Sequence, residues 1–552
     1  MISGNQNIKN SVFFIVSLIA CVTVYAQKDT SKPQAINIVS SYKPVLRNAV
    51  KINFSGSQLP ADTAKTVRQY QIPSQNLFYA YQPIALKPLA LEQDTNLYLG
   101  NRNFIKAGVG SYTTPYVSAG LGIGDGRKYL VNLYGNYISS KGLIKNQDYS
   151  ILEVKGAGSY FMPKNEAYAS ATVSRRQYFL YGYDHQLYDF KKDEIRQQFQ
   201  EIDLVAGLRN TAKNSLGVNY NPSVRVNFFT NKDKLSESTI VFDLPVEKKI
   251  FDDFLIKLAL NADFTNYATK SLVPSNFSFS NNVISFMPSL NYSNERFTIN
   301  AGITPVWNQG NFIYLPNIYG EFQLKEKVFL LQGGWVGRIN KNTYRNLSYI
   351  NPWLGVLTSQ QNTQETELYG GIKASIGKHF NFSAKAGIIT YRDYQFFIND
   401  TSLVTDSKTF YLSNDKKVNN FRLHGDISYI NQDKFTLTAG VTFNGYTGMQ
   451  NNAKAWHTVP MEFTSSLRWW AFEKLMLKGD FYLFAGGHYL DKGNISRSFD
   501  GGSDLSAGAE YRFNKQFSAF LDVNNIFDNT YERWHNYPVY GLNALGGIIV
   551  RF

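Results

Sequence analysis

Cysteine is all but missing from this chain. Cys21 is the only one in 552 residues, so neither an intrachain disulfide nor a multi-cysteine metal site can form. Beyond the N-terminus no stretch nears the ~18 consecutive apolar residues of a membrane-crossing helix. Histidine is sparse, at positions 185, 379, 424, 457, 488 and 535, with no zinc-type spacing. Gly120, Gly122, Gly124 and Gly126 fall at a strand end and turn rather than before a helix, which excludes a phosphate-cradling loop. A hydrolytic Ser–His–acid set would have to be assembled by the fold, and no motif marks one. No cofactor, metal ion or nucleic acid is called for, and the chain is not expected to be an enzyme.

What is abundant points elsewhere. Tyr (37) and Phe (40) lift the aromatic content to 15%, and Gly stands at 41 while Pro stands at 17. Such a composition suits strands that show lipid on one face and water on the other. At the N-terminus Lys9 precedes an apolar run that begins Val12–Ala20, and Val24-Tyr25-Ala26 offers a small-residue cleavage site before Gln27. Residues 1–26 therefore read as a signal peptide. A competing reading takes Leu18-Ile19-Ala20-Cys21 as a lipoprotein box that acylates Cys21, although apolar residues continue past it through Val22 and Val24.

From about Phe104 onward one unit recurs: a strand of alternating polarity, then a turn or a long loop. Leu368, Gly370, Ile372, Ala374 and Ile376 point one way; Tyr369, Gly371, Lys373 and Ser375 point the other. After Gly377-Lys378-His379, Phe380, Phe382, Ala384, Ala386 and Ile388 alternate with Asn381, Ser383, Lys385 and Gly387. Successive side chains on a strand face opposite sides, so each strand has one apolar and one polar face. The next hairpin repeats the pattern, with Leu437 and Val441 assigned to lipid and Thr438 and Thr442 to the lumen. A soluble antiparallel sheet shows the same period, but it needs apolar material for a core and seldom sustains the pattern over some twenty strands.

Connection lengths test the reading independently. Short turns fall at Pro163-Lys164-Asn165, Lys325-Glu326-Lys327, Gly377-Lys378-His379, Asn431 to Asp433, Glu473-Lys474 and Asn514-Lys515-Gln516. Between the last five lie the long segments 340–364, 398–419, 445–457 and 489–503, one in each gap. Membrane barrels alternate short and long connections in this way. The expected fold is all-β, a transmembrane antiparallel barrel over 103–552 of about 22 strands (20–22), preceded by a short proline-containing N-terminal arm over 27–102.

The chain closes on an alternating strand, with Ile548, Val550 and Phe552 outward and Asn543, Gly547 and Arg551 inward. The segment before it contains Asn525-Ile526-Phe527-Asp528-Asn529-Thr530-Tyr531. Over some forty residues this resembles the C-terminal hairpin of TonB-dependent receptors, in which Asn-x-Phe-Asp-x-x-Tyr precedes a last strand ending in Phe. The resemblance implies that Asn525, Phe527, Asp528 and Tyr531 form the family-like hairpin motif. It also implies that Ile548, Val550 and Phe552 signal to the outer-membrane insertion machinery. In that family a globular plug fills the barrel behind a TonB-binding segment. Here 27–102 is too short for that plug, which matches plugless, Bacteroidota-type relatives and leaves TonB coupling unsupported.

Six prolines space the arm, among them Pro44, Pro60, Pro73, Pro83 and Pro88, and prevent long helices. With its apolar knots Ile36–Val39 and Leu77–Tyr79, the arm is either a disordered tail or an ordered seal or docking strand. Net charge is +14. Candidate lumen-facing groups are Lys373, Lys385, Arg422, Lys478 and Arg512 against Asp426 and Asp480. They would bias a pore towards anions or pair off along a hydrated wall, and basic groups at the outer surface would meet lipopolysaccharide. Tyr344, Tyr349, Trp353, Tyr183 and His185 are candidate external-loop contacts, for stacking on sugars or a protein partner, or else an interfacial girdle. The expected function is solute passage across the Gram-negative outer membrane without a plug. The alternative is a non-transporting subunit of an outer-membrane assembly, with a lipoprotein or periplasmic partner.

Overall fold

Alternating side chains leave a strand one lipid face and one water face, and only closure removes its unpaired edges. The computed structural model, which describes residues 103–552 apart from 213, 234, 270–276, 326–328, 378, 402–406 and 432–433, shows that closure. Twenty-two antiparallel strands form the barrel. The first, Phe104–Gly110, pairs with the last, Asn543–Arg551, from Phe104↔Arg551 to Gly110↔Leu545. Residues 1–26, read above as a signal peptide and containing Cys21, and the expected arm over 27–102 lie outside the described residues, as do parts of three of the short turns.

One strand is interrupted. Val218–Tyr220 and Ser223–Asn231 both pair with Leu235–Phe251, and the break falls at Asn221-Pro222. Pro222 has no N–H for the ladder, although its carbonyl still accepts the Leu208 N–H at 3.0 Å.

The facing follows the alternation. Leu368, Ile388, Phe421 and Ile548 are each more than half exposed on the outer face, while Tyr482, Phe484 and Phe520 are buried inside. Aromatic pairs cross consecutive strands at the short-turn end: Phe254–Tyr292, Phe297–Phe322, Phe380–Tyr429, Tyr429–Phe435 and Phe435–Trp469. Trp307, Phe312 and Tyr314 cluster near the opposite rim. These are interfacial girdles, and the uncharged band lies between them. Leu437 is exposed on the outer face, but it sits two residues into Phe435–Thr447, beside the girdle rather than at mid-height.

Inward charges are largely paired. Lys385 meets Glu367 at 2.8 Å, Lys478 meets Asp522 at 2.7 Å, Arg468 meets Asp480 at 3.1 Å and Lys373 meets Glu321 at 2.7 Å. Glu510 accepts from Arg551 at 2.6 Å and lies 3.6 Å from Arg512, whose guanidinium covers the Trp470 ring at 4.0 Å. Arg422 donates to the Tyr391 hydroxyl and to Asn444, and Asp426 lies 3.3 Å from His424. A wall of fixed pairs offsets its own charge, so the positive excess of the sequence is not a bare cationic pore lining.

The segment 398–419 is loop only in part, against what its polar composition indicates. Strands Phe380–Asn399 and Phe410–Asn431 extend into it from both ends and stay paired to Asn399↔Phe410. Asp415 explains the extension: its carboxylate accepts the backbone N–H groups of Gln450, Asn451 and Asn452 at 2.9–3.0 Å. Val418, Phe396 and Ile398 pack beside it with Trp456. Segment 489–503 likewise contains a small hairpin, His488–Asp491 with Ile495–Ser498.

Candidate functional site: a septum of infolded loops

The long connection 341–362 begins at the wall and turns inward. Lys341 pairs with Asp263, and it donates to the Thr265 hydroxyl at 2.7 Å. A single helical stretch follows, Tyr344–Ile350, with Thr343 as N-cap accepting from Asn346. The first turn of any helix leaves backbone N–H groups unpaired. Here Glu237, from the wall, accepts those of Tyr344 and Arg345 at 2.8 and 3.3 Å. Arg345 in turn meets Glu201 at 2.6 Å, Tyr349 donates to the same carboxylate, and the Arg176 guanidinium covers the Tyr349 ring at 3.3 Å. Burial pushes the Tyr349 hydroxyl up to about 12, with Arg176 opposing, so it remains a donor throughout the physiological range.

Beyond the helix the chain is tied to two strand ends. The Trp353 indole N–H donates to the Phe179 carbonyl at 3.0 Å. Two residues on, Gly355 N–H donates to the Phe410 carbonyl at 2.8 Å, and Phe410 N–H donates to the Trp353 carbonyl at 3.1 Å. Phe179 ends the fifth strand and Phe410 begins the sixteenth of 22, halfway round the barrel. Residues 353–355 therefore join the ends of two strands that lie eleven apart in the order round the barrel.

A second loop, 525–542, meets the first in the middle. Tyr537 stacks on Trp353 with ring centres 3.8 Å apart, and Tyr181 packs edge-on against both. The Tyr537 hydroxyl donates to the Lys408 carbonyl, and that of Tyr181 to Pro538 at 2.9 Å. Arg533 donates to the His457 carbonyl at 2.8 Å, and Trp534 stacks on the His457 ring. Burial pulls His457 down to about 3, the Phe397 carbonyl at 2.8 Å opposing, so its imidazole is neutral at physiological pH. Trp353, Tyr344, Leu354, Trp534 and Tyr537 join Phe199, Phe229 and Tyr267 of the wall in one hydrophobic cluster. The result is one packed layer of the chain's own loops against the wall, here called a septum.

Several expected site residues change place in this light. Tyr344, Trp353 and Tyr183 are not exposed contacts: all three are buried, because the loops pack on one another and on the strand ends. Tyr349 is half-buried, and His185 alone of the five is exposed, lying on the Tyr183 ring at 4.2 Å. The C-terminal motif has a clear physical use. Asn525, at φ 48°, accepts from Asn529 N–H and donates to the carbonyls of Asn529 and Tyr540. Asp528 accepts the Leu542 N–H at 2.7 Å, while Phe527 stays outward and Tyr531 packs on Phe484. The motif thus ties both ends of the second septum loop. Tyr540 precedes the last strand, and its hydroxyl donates to the Gln147 carbonyl at 2.6 Å. Phe552 donates its N–H to the Asn103 carbonyl, with Ile548 outward and Val550 paired to Ile105 and Phe517.

Glu201, Glu237, Arg176, His457 and Tyr537 escaped sequence reasoning. Only the dense run Trp534-His535-Asn536-Tyr537-Pro538, directly after the motif, signals an unusual loop. Asn525→Ala should release that loop while leaving the barrel intact. It removes three hydrogen bonds and a residue type that tolerates positive φ, a local loss of about 1–3 kcal/mol. Trypsin should then cut at the otherwise buried Arg533 markedly faster; an unchanged cleavage rate would contradict the clamp.

Among the described residues no group of three or more His, Cys, Asp or Glu is placed to hold a metal ion. No protein-family model and no curated protein sequence matches the chain. Solved structures do. The iron transporter FrpB from Neisseria meningitidis (F3-3 variant) superposes with a TM-score of 0.62 at 10% identity, over 83% of this chain and 82% of that one. The siderophore receptor PirA from Acinetobacter baumannii gives 0.62 at 11% identity, over 82% and 80%. The copper transporter OprC gives 0.60 at 13% identity, over 82% and 83%. The neighbours are TonB-dependent receptors, and the barrel fold of this chain is the one they share.

Proposed function

We propose that this chain is an outer-membrane passage protein whose lumen is closed by its own loops rather than by a separate globular plug. The observation that carries the reading is the septum, in which residues 353–355 tie together the ends of two strands eleven apart in the barrel order and Trp353 stacks on Tyr537. An unobstructed lumen of this strand number would breach the membrane as a barrier, and relatives of the size keep it filled. A closed septum made of loops is a separable unit, able to open without unfolding the wall. Iron, siderophore and copper transport in the structural neighbours supports passage of a solute as the role.

In this reading the long-loop end faces the exterior and lipopolysaccharide, the outer band meets lipid, and the chain arrives through a cleaved signal peptide over 1–26. Planar-bilayer recording tests it. The purified barrel should be nearly silent and should conduct once the septum is displaced. A barrel silent in both states would instead be a structural subunit, and a co-purifying lipoprotein or periplasmic protein would then be its partner.

Insertion has its own test. The final residue caps the strand that must find strand one, so deletion of Phe552 should sharply lower the amount of folded barrel in the outer membrane. Heat-modifiable gel mobility and membrane yield equal to wild type would rule out its role as the signal to the insertion machinery.

A further inference from the structure

The inward charges of the wall are largely paired, but two outward ones are not. Between strands Phe380–Asn399 and Phe410–Asn431 the ladder runs without a break from Phe380↔Tyr429 to Arg392↔Lys417. Ile388 and Phe421 lie opposite each other on the outer face, each more than half exposed. Thr390 and Asn419 follow on that face, joined by a hydrogen bond of 3.1 Å. Arg392 and Lys417 come next, and both are exposed. The residues that alternate with them, Ile389, Tyr391, Val418 and Asn420, are buried on the inner face. A guanidinium and an ammonium thus stand directly opposite each other on the outside of the barrel. No ion pair or side-chain hydrogen bond joins either of them to another of the described residues, the adjacent Asp393 included. Lys416 is exposed alongside.

Like charges directly opposite on one face of a sheet destabilise the pairing. Their height in the membrane supplies a reason for them. Phe380 and Tyr429 belong to the aromatic girdle at the short-turn end. Arg392 lies twelve residues farther along its strand, roughly 40 Å at about 3.3 Å per residue. With strands tilted by about 35–45°, that is roughly 28–33 Å along the membrane normal, against an apolar band about 25 Å tall. Thr390 therefore marks the upper edge of the band, and the two cations stand just beyond it, among the lipid headgroups. The counter-charge that the protein does not provide is one that a headgroup carries. Arginine takes phosphate through paired N–H donors, and lysine takes it as a point charge. One phosphate held between the two replaces their repulsion with two attractions. Below them Ile388, Phe421 and Leu423 offer an exposed apolar surface to acyl chains.

We propose that Arg392 and Lys417 hold a phosphate of the outer-leaflet glycolipid, lipopolysaccharide, whose acyl chains lie on Ile388, Phe421 and Leu423. The inference rests on the reading of the long-loop end as external and names the lipid contact made there. The test is native mass spectrometry of the full-length protein, folded in a non-ionic detergent and titrated with bis-phosphorylated lipid A. Saturable retention is expected, weakened at least tenfold in the double variant Arg392→Gln, Lys417→Gln. Arg127→Gln with Lys128→Gln makes the same charge change at an exposed turn of the opposite end and should bind as wild type does. Without lipid A the Arg392→Gln, Lys417→Gln barrel should unfold no earlier than wild type in heat-modifiable gel mobility, because it has lost a like-charge pair. Added lipid A should then delay unfolding of the wild type only, which a merely structural role of the two bases would not produce. Absence of saturation, equal retention by the folded double variant, an equal loss in the turn variant, or equal retention of dephosphorylated lipid A would each overturn the proposal. Displacement of lipid A by inorganic phosphate alone would overturn it as well, marking a site for a free anion. Orientation is checked apart: Leu187→Cys, exposed in a long loop of the same end, should be labelled on intact cells by a membrane-impermeant maleimide. Labelling without lipid A retention faults the lipid site alone, whereas no labelling overturns the external reading and the proposal with it.

Discussion

Replacing residues 344–357 with a short glycine–serine linker should turn a nearly silent barrel into a conducting one. That segment supplies Tyr344, Leu347, Trp353, Leu354 and Leu357 to the central cluster, all of them buried. It also carries both backbone bonds to Phe410 and the indole bond to Phe179. None of these contacts closes the barrel, which is held by the ladder from Phe104 to Arg551. Single changes should grade the effect. Trp353→Ala removes a fully buried ring at a cost of about 3–5 kcal/mol, enough to populate an open septum. Tyr537→Phe keeps the stack and loses only the bond to the Lys408 carbonyl, about 0.5–1.5 kcal/mol. Single-channel conductance and cellular sensitivity to large antibiotics should therefore rise in the order Tyr537→Phe, Trp353→Ala, loop replacement. A folded replacement variant as silent as wild type would show that the septum is not the seal and would shift attention to the arm over 27–102.

The same argument gives a pH dependence. The folded His457 resists protonation down to about 3, whereas an imidazole in an open loop titrates near 6.5. The open state therefore binds the proton more tightly, and the stability of the closed septum is lost as pH falls below the open-state value. Wild-type conductance should rise between pH 7 and pH 4, and a flat profile over that interval would remove His457 from the account.

Leu423→Arg is the second large effect. Leu423 is exposed on the outer face, paired with Ala386 and Phe443, and lies six residues beyond the girdle residue Tyr429. A guanidinium there meets hydrocarbon and should cost about 2–4 kcal/mol. Thr442→Arg, on the lumen side beside His424, should be tolerated, because it meets water. Leu437→Arg should cost only about 0–1 kcal/mol, since Leu437 adjoins the girdle and its guanidinium can reach the interface. Urea unfolding in lipid vesicles measures all three. Equal losses at Leu423 and Thr442 would mean that the outer face does not contact lipid.

How much was legible follows from what each feature depends on. Leu368, Ile388, Phe421 and Ile548 could be assigned to the outside from sequence, because a strand has a period of two and two solvents sort its faces. Glu473-Lys474 and Asn514-Lys515-Gln516 were readable as turns for the same local reason. The closing aromatic strand and the Asn525–Tyr531 motif were visible as well, although not what the motif ties down.

The reach of strands Phe380–Asn399 and Phe410–Asn431 was hidden, because Asp415 finds its donors at Gln450 to Asn452. The septum was hidden more deeply. Trp353 and Tyr344 look like exposed loop aromatics in sequence, and their burial depends on Phe179, Phe410, Tyr537 and Glu237, brought together only when the wall has closed. The barrel could be read from the residues alone, because each one's preference for lipid or water is settled by its immediate neighbours and its solvent. Tertiary structure alone decided what fills the barrel, because a loop is buried only where partners from distant strands pair its backbone and cover its rings.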